Sequence, residues 1–587
     1  MPYLTARPLL LLLSLALAAP VNAQVVTPDA PEPATEAPFT GASGAFIAAR
    51  VAEASNDFVE SARWFALAIA ADPRDHRLIS GAIFAELALG RIDRAETYAL
   101  DYQKLEPKGT PTALFALIAG DAAREDYAAL IAAAPDRKIN PLLDGLILAW
   151  AKLGKGDMTS ALADFDIMAK TPGQQAFGLF HKALALGLAG DFEGAEEILS
   201  GRAAGNVGLL RSGVIAHAEV LSQLERNQDA LALLDKSFGS GPDPRIDPLR
   251  KRLKAGEPLP FTAVTSARDG IAEAFFNLAA VLRGDTEDGF ILLHTRIATA
   301  LRPDYADPQL LTASLLGSLG QHRLAAEAFA RISADNPVHF EAEIGRAQAL
   351  LADDQTEAAL EVLRALARDE PQLLPAQLAL GDALRRTERC VEALPVYDAA
   401  IALIPTPGPE NWMVFFSRGV CHEQQKMWDK AEPDFRQALA LNPGQPQVLN
   451  YLGYSFVDRG KNLEEALQMI NQAVTAEPES GYIIDSLAWA YFRLGRYDDA
   501  LAPMEKASLL EPVDPIVTDH LGDVYWAVGR KLEARFQWRR ALSFEPLEKD
   551  GARIQRKLEV GLDAVLTEEG TPPLGTQPTA VPAADGN

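Results

Sequence analysis

Apolar and small residues recur through residues 481–512 at the spacing of two consecutive amphipathic helices. Positions four apart share one face of a helix, and small side chains let two helices approach closely. Gly495 suits the turn between these helices, and Pro512 ends the second one. The residues that form the two apolar faces are Leu487, Tyr491, Ala500, Met504 and Ala507. The stretch therefore predicts a pair of packed helices.

The helix-pair pattern repeats along the chain, and a proline closes most copies. In the C-terminal half, steps of 34, 34, 38, 35, 34 and 34 residues separate Pro337, Pro371, Pro405, Pro443, Pro478, Pro512 and Pro546. Weaker copies close 34 residues apart at Pro73, Pro107 and Pro141. This period indicates a solenoid, because one helix pair cannot bury its own apolar face and needs neighbours. We expect about 14 units, six before a proline-rich joint and eight after it.

Breaks in this periodicity divide the chain into segments. Proline-rich stretches without helical periodicity are typical of joints and of extended, disordered chain. The expected segments are a signal peptide (1–23), a Pro/Ala-rich disordered tether (24–43), a degenerate N-terminal array (44–242), a joint (243–266), a C-terminal array (267–546), a capping helix (547–569) and a disordered tail (570–587).

The first 23 residues have the pattern of a secretory signal. Arg7 precedes an apolar run over residues 9–19, and Ala23 offers a small-residue cleavage site before Gln24. The run is shorter than the roughly 20 apolar residues of a membrane-spanning helix, and no later stretch reaches that length. We expect an exported, periplasmic protein without a transmembrane segment in the mature chain, peripheral to an envelope membrane if attached at all. A retained N-terminal anchor is the alternative.

Charge and composition exclude one class of partner. The formal net charge is −25, so nucleic acid is not an expected partner. The basic residues Arg250, Lys251, Arg252 and Lys254 run against this balance, and we interpret them as a solvated helix face. The hydrophobic fraction of 48% suits helices that bury one face.

No catalytic, metal or cofactor motif stands out. The closest approach to H-E-x-x-H places Lys426 where the second histidine after His422 and Glu423 belongs. The chain contains no G-x-S-x-G elbow, no phosphate-binding loop and no G-x-G-x-x-G after a strand. We therefore expect a protein that is not an enzyme, with no catalytic residues, no metal and no cofactor.

The two cysteines, Cys390 and Cys421, are too few to form a metal site. In an exported protein such a pair most often forms a disulfide. Antiparallel packing of the helices that carry them would bring the two sulfurs together. Two unlinked, buried thiols are the alternative.

The repeat spacing resembles the tetratricopeptide pattern, L-G-x2-Y followed by A-x3-F and P. Residues 267–546 are similar to exported tetratricopeptide proteins of proteobacteria, especially in NYLGYSFVDRGKNLEEAL, GYIIDSLAWAYFRLGRYDDA and HLGDVYWAVGRKLEARFQWRRAL. The resemblance implies an all-α, right-handed superhelical solenoid. Some members of that group are adaptors that bind a carboxyl-terminal processing protease and deliver cell-wall hydrolases to it.

The resemblance also implies which side chains line a concave peptide- or protein-binding groove. These positions hold Asn450, Tyr454, Asp458, Tyr482, Asp485, Trp489, Phe492, Arg493, Asp519, Asp523 and Trp526. Exposed aromatic rings beside carboxylates suit the grip on a peptide or helix, because rings supply contact area and carboxylates select donors. The alternative is that several of these rings pack between adjacent helices.

The sequence thus predicts a non-enzymatic periplasmic scaffold or adaptor that binds protein partners, among them an envelope protease or its substrate. The alternative is an accessory subunit of envelope assembly or of polysaccharide or protein export machinery. The sequence does not predict an oligomeric state.

Overall fold

The computed structural model describes residues 42–202, 211–239, 241, 243–570 and 574, and these form thirty-one α-helices. The prediction of an all-α fold built from helix pairs is confirmed. The predicted signal peptide, residues 24–41 of the tether and nearly all of the predicted tail lie outside the described residues. Among the helices described, none combines the length and the hydropathy that crossing a membrane requires.

Six helix pairs precede the predicted joint. They are α1 (Ala42–Ala54) with α2 (Phe58–Ala71), α3 (His76–Ala88) with α4 (Ile92–Leu105), α5 (Pro111–Ala123) with α6 (Tyr127–Ala133), α7 (Pro141–Gly154) with α8 (Met158–Ala169), α9 (Gln175–Leu188) with α10 (Phe192–Leu199), and α11 (Arg211–Gln223) with α12 (Asn227–Phe238). The joint itself contains α13 (Asp247–Lys254).

Eight further pairs follow. They are α14 (Ala267–Leu282) with α15 (Asp288–Leu301), α16 (Ala306–Ser318) with α17 (His322–Phe329), α18 (His339–Ala352) with α19 (Thr356–Asp369), α20 (Leu374–Arg386) with α21 (Cys390–Ala402), α22 (Trp412–Gln424) with α23 (Trp428–Leu441), α24 (Pro446–Asp458) with α25 (Leu463–Ala476), α26 (Gly481–Arg493) with α27 (Tyr497–Leu510), and α28 (Pro515–Ala527) with α29 (Lys531–Leu542). A 3-10 turn, Pro409–Asn411, precedes α22.

Local chemistry explains where these helices begin and end. Several begin after an N-cap whose side-chain oxygen accepts a backbone N–H, as Asp57 does from Glu60 and Asp514 does from Ile516 and Val517. Gly495, the predicted turn residue, has φ 74°, a conformation that glycine adopts without a steric penalty.

The chain forms two compact units, Met1–Leu366 (unit 1) and Ala367–Asn587 (unit 2). The division does not coincide with the predicted joint at residues 243–266, because the chain turns back after it. Helix α14 packs against α7, α9 and α5, and α15 packs against α3 and α5. We call the surface formed by the first helices of successive pairs the inner surface. In unit 1, α14 and α15 therefore cover the inner surface of the preceding pairs.

The contacts of α14 and α15 in unit 1 are mainly apolar. The fully buried Trp150 ring packs so closely against Gly270 that a Cβ there would overlap it. Trp150 Nε1 donates to His181 Nδ1 at 3.0 Å, and Asn277 of α14 lies 3.4 Å from the other ring nitrogen. Farther along, Arg296 Nε donates to the carbonyl of Ala88 at 2.7 Å.

The expected solvated basic face is present at Lys251, Arg252 and Lys254, which are exposed, but the expectation is wrong for Arg250. Arg250 of α13 is only 6% exposed and therefore does not lie on a solvated face. Its guanidinium donates to carboxylates of Asp235 and Asp247, each at 3.0 Å. Because the bond to Asp235 ties α13 to α12, the basic run includes a structural residue.

Unit 2 is itself a stack of helix pairs and ends in two further helices. A disulfide joins Cys390 to Cys421 with a Cα–Cα distance of 5.0 Å and links α21 to α22. Where a single capping helix is expected at residues 547–569, the structure has α30 (Glu548–Val560) and α31 (Leu562–Glu568). Gly561 separates them with φ 85°. A residue with positive φ interrupts an α-helix, so the segment forms two helices and not one.

Candidate functional site

The predicted groove residues lie on α24, α26 and α28, the first helices of three successive pairs. Their spacing of three or four residues keeps the side chains of each helix on one face. The structure places these three faces in one region of unit 2. Seven of the eleven residues are buried: Asn450, Asp485, Trp489, Phe492, Asp519, Asp523 and Trp526. Tyr454, Tyr482 and Arg493 are half-buried, and Asp458 is exposed.

Asp485 of α26 is paired with a histidine of the next first helix. His520 Nδ1 donates to both carboxylate oxygens of Asp485, at 2.9 and 3.1 Å. Burial alone would lower the pKa of His520, but the Asp485 carboxylate outweighs burial and raises it. The pair is 2% and 8% exposed, so Asp485 has no free face for a partner.

Trp489 also belongs to this internal contact. Its ring stacks on His520 with centroids 4.0 Å apart and on Phe492 with centroids 4.8 Å apart. A protonated imidazole over the face of an indole is a favourable cation–π arrangement. The ring therefore packs between adjacent helices, which is the alternative raised for it from the sequence.

Asp519 and Asp523 of α28 share one buried lysine. Lys557 of α30 is completely buried, and its Nζ donates to Asp519 at 2.6 and 2.7 Å and to Asp523 at 2.7 Å. Trp538 Nε1 donates to Asp523 at 2.9 Å. Arg553 of α30 adds a second positive charge, 3.6 Å from Asp523 and 3.9 Å from Asp519. We call Lys557, Arg553, Asp519 and Asp523 the Lys557 cluster.

Trp526 faces the break between α30 and α31. Its Nε1 donates to Asp563 of α31 at 2.8 Å. A Cβ on Gly561 would lie 2.6 Å from the indole ring, so only glycine fits there without a shift. The inner surface at α28 is therefore covered by the chain's own last helices.

Tyr454, Asp458 and Arg493 form the accessible part of the predicted groove, and we call them the Tyr454 patch. The guanidinium of Arg493 lies 3.4 Å from the carbonyl of Asp458 and 4.0 Å from its carboxylate. Burial raises the pKa of Tyr454, and the carboxylates of Asp485 and Asp458 raise it further. The patch offers a ring, an anion and a cation that remain partly open to solvent.

Tyr482 lies apart from the patch, at the start of α26. Burial and the neighbouring Glu511 raise the pKa of the Tyr482 hydroxyl to about 12. Its ring packs beside the cluster of Ile484, Ala507 and Val517. Tyr482 therefore contributes to packing between successive helix pairs of unit 2.

Sequence reasoning missed Lys557, His520 and Asp563, the partners of the buried carboxylates and rings. One signal was available: counted by the repeat, Lys557 occupies in α30 the position that Asp523 occupies in α28. Within the described ranges, no three or more His, Cys, Asp and Glu side chains converge as metal ligands would.

The comparisons agree with the repeat architecture. The tetratricopeptide repeat family model matches residues 310–373, 378–446, 424–481 and 486–543, so this part of the chain carries tetratricopeptide repeats. The TPR repeat-containing protein PA4667 of Pseudomonas aeruginosa is 32% identical over 92 residues, which are 16% of each chain. The BBSome complex member BBS4 of Bos taurus is 31% identical over 108 residues, 18% of this chain and 20% of that protein.

These alignments span a fifth or less of the length of either relative. Among solved structures, the crystal structure of the APC/C hetero-tetramer Cut9-Hcn1 is similar with a TM-score of 0.38 and 14% identity. That similarity covers 89% of this chain and 96% of the other.

Proposed function

We propose that the protein is a non-enzymatic periplasmic scaffold or adaptor whose unit 2 binds a protein partner and presents it to an envelope protease. The Tyr454 patch carries this proposal. It is the part of the predicted groove in which Asp458 is exposed and Tyr454 and Arg493 are only half-buried. A tetratricopeptide array is a repeat scaffold consistent with protein–protein interaction.

The chemistry of the patch suits a polypeptide. A half-buried tyrosine supplies a rigid contact surface with a hydroxyl at its edge, and such rings often dominate binding energy. Asp458 and Arg493 offer one acceptor and several donors, which fits main-chain amides or a segment that carries both charges. The charged side chains set specificity and association rate more than affinity.

The disulfide supports the proposed location. Disulfides persist in oxidising compartments such as the bacterial periplasm and are rare in the cytosol. The bridge between Cys390 and Cys421 therefore agrees with the secretory pattern around Arg7 and Ala23. N-terminal sequencing should find Gln24 first, and non-reducing mass spectrometry of periplasmic protein should find the two cysteines linked. An intact Met1 in a cytosolic fraction, or two free thiols, would contradict the location.

Site-specific photo-crosslinking tests the binding surface. A benzoylphenylalanine at the exposed Asp458 should crosslink to one envelope protein in intact cells. The same group at Glu464, an exposed residue of α25, is the matched control and should not. Tyr454→Ala should weaken binding of the identified partner roughly thirtyfold, the effect of losing about 2 kcal/mol at a contact centre.

The identity of the crosslinked protein decides between the two functions. A protease or a cell-wall hydrolase supports the adaptor. Components of an export or envelope-assembly machine would favour the accessory subunit. Equal crosslinking at positions 458 and 464, or unchanged affinity in a folded Tyr454→Ala variant, would place the binding surface elsewhere.

A further inference from the structure

Helix α29, the second helix of the last pair, carries two large apolar side chains in solvent. It packs mainly against α28 and α30, and its buried residues Ala534, Trp538 and Ala541 lie on the side toward these neighbours. Leu532 and Phe536 lie four residues apart on the opposite side and are 83% and 64% exposed. We call that side the α29 outer face. The part of the chain that the structure describes leaves it uncovered.

Four basic side chains lie on the same helix, on or beside this face. They are Lys531, Arg535, Arg539 and Arg540. Within the described residues, none of them forms an ion pair with a carboxylate. Arg535 donates to the carbonyl of Leu558 at 2.9 Å, and Arg540 donates to the carbonyl of Pro512. Arg539 is exposed and follows Leu532 by seven residues, which places it on the α29 outer face itself.

Unpaired cations are unexpected in this chain, which contains 80 acidic and 55 basic residues. Arg530, one residue before α29, shows the contrast, because it pairs with Glu505 at 2.9 Å and with Glu533 at 3.1 Å. Glu533 is the one acidic residue in the sequence of α29, and Arg530 already engages it. The α29 outer face therefore combines exposed apolar groups with positive charge that the described carboxylates do not neutralise.

This combination is the one by which a surface helix binds an anionic bilayer. Apolar side chains enter the boundary between headgroups and acyl chains, and lysine and arginine contact the lipid phosphates. A second copy docked through the same face would bring like charges together, which opposes association. The formal net charge of −25 does not forbid the contact, because salt screens charges more than about 8 Å away.

We propose that the α29 outer face binds the surface of a bilayer that contains anionic phospholipid. Leu532 and Phe536 enter the headgroup boundary, and the four cations of α29 hold the lipid phosphates. The face is distinct from the Tyr454 patch, which lies on the first helices α24 and α26. The proposal does not depend on the protein-binding function proposed for unit 2.

Co-sedimentation of the full chain with lipid vesicles tests the proposal. The anionic probe is a vesicle of equal parts phosphatidylcholine and phosphatidylglycerol, and the neutral probe is phosphatidylcholine alone. In about 0.1 M salt the protein should bind the anionic vesicles at least roughly tenfold more strongly, and higher salt should reduce that preference. The apolar run over residues 9–19 is common to every variant, and the neutral vesicles measure its contribution.

A double substitution removes the apolar part of the surface. Leu532→Ser with Phe536→Ser should lower binding to the anionic vesicles at least roughly tenfold, because two large side chains no longer enter the interface. Ile47→Ser with Val51→Ser is the matched control, since these residues have the same spacing on α1 and are 61% and 63% exposed. The neighbouring cation, Arg50, is already in an ion pair. This control should bind vesicles as the wild type does.

A second substitution tests the charge. Lys531→Gln with Arg539→Gln should weaken binding to the anionic vesicles at least roughly tenfold and leave binding to the neutral ones unchanged. This variant decides the question if the serine variant does not fold by circular dichroism.

Two results would overturn the proposal. One is a wild type without preference for anionic vesicles, and the other is equal binding by the wild type and by folded variants of the α29 outer face. Light scattering and photo-crosslinking at position 536 then identify the occupant. Loss of a dimer in the serine variant would assign the face to a second copy, and a crosslink to an acidic protein would assign it to such a partner.

Discussion

Units 1 and 2 both cover the inner surface of their helix pairs with a later part of the chain, but with opposite chemistry. In unit 1, α14 and α15 bring small and apolar residues such as Gly270 against Trp150. In unit 2, α30 brings Lys557 between two buried carboxylates. The first contact depends on shape and the second on charge pairing. The same repeat architecture is therefore closed in unit 1 mainly by packing, together with the buried Arg296 that binds the Ala88 carbonyl, and in unit 2 by charge pairing.

The two buried histidines show the same contrast. His181 of unit 1 accepts a hydrogen bond from Trp150, and burial lowers its pKa to about 3. His520 of unit 2 donates to Asp485, whose carboxylate raises its pKa in spite of burial. Burial favours the neutral form of one ring and the carboxylate favours the protonated form of the other, so unit 1 and unit 2 should respond differently to substitution and to pH.

Breaking the charge pairing in unit 2 should have the largest effect. Lys557→Met removes the buried cation between Asp519 and Asp523 and leaves only the more distant Arg553, so it should cost about 3 to 5 kcal/mol in the free energy of unfolding. Urea denaturation followed by tryptophan fluorescence measures it. Lys549→Met, on the exposed side of the same helix, should be near neutral. Adding Asp519→Asn and Asp523→Asn to Lys557→Met should recover stability, and an equal loss in the triple variant would show that charge pairing is not the cause.

Filling the close contact in unit 1 should have a smaller effect. Gly270→Ala forces the Trp150 ring to move and should cost about 1 to 3 kcal/mol, as overpacking does in a dense core. Gly289→Ala on α15 is the matched control, since its added Cβ would meet Phe84 at an ordinary 3.4 Å. The loss should not depend on salt, because no charge is involved. A salt-dependent loss would contradict an apolar closure.

The pH response should be the smallest and should differ in sign. The pKa of His181 is lowered, so its contribution to the free energy of unfolding is fully present above about pH 6.5. That contribution is lost as pH falls, by roughly 2 kcal/mol at pH 5. The pKa of His520 is raised, so its contribution is full below about pH 6.5 and lost as pH rises through the raised value. Unfolding of His181→Gln and His520→Gln variants across this range checks both signs. If both substitutions reduce the pH dependence of the free energy of unfolding on the same side of about pH 6.5, the two histidines do not differ as described.

The helix pairs follow from the sequence because their determinants are local. The face shared by Leu487 and Tyr491 depends on residues four positions apart. The proline steps near 34 residues show that this local pattern repeats. The packing of α14 onto α7 cannot be predicted in this way. In the sequence Gly270 is an ordinary small residue, and only the structure shows that Trp150 lies against it. Contacts between segments distant in sequence leave no periodic trace.

The candidate site shows the same limit. Repeat position places Asp519, Asp523 and Trp526 on one face of a helix, and the structure has them there. Position does not say what covers that face. The buried Lys557 and the bend at Gly561 turn expected contact residues into interior ones, whereas Tyr454 and Asp458 keep an open side. The prediction of the groove itself stays a prediction until a partner is mapped.

The return of α14 and α15 also sets an order of events during synthesis. The Ala88 carbonyl leaves the ribosome 208 residues before the Arg296 side chain that binds it. At about 5 to 20 residues per second, roughly 10 to 40 s pass before that bond can form. During this time the apolar surfaces of α3, α5 and α7 have no cover from their own chain. A nascent chain with such a delay exposes apolar helix surfaces that are prone to aggregate. We expect a chaperone that binds exposed apolar surface to protect the chain during this interval.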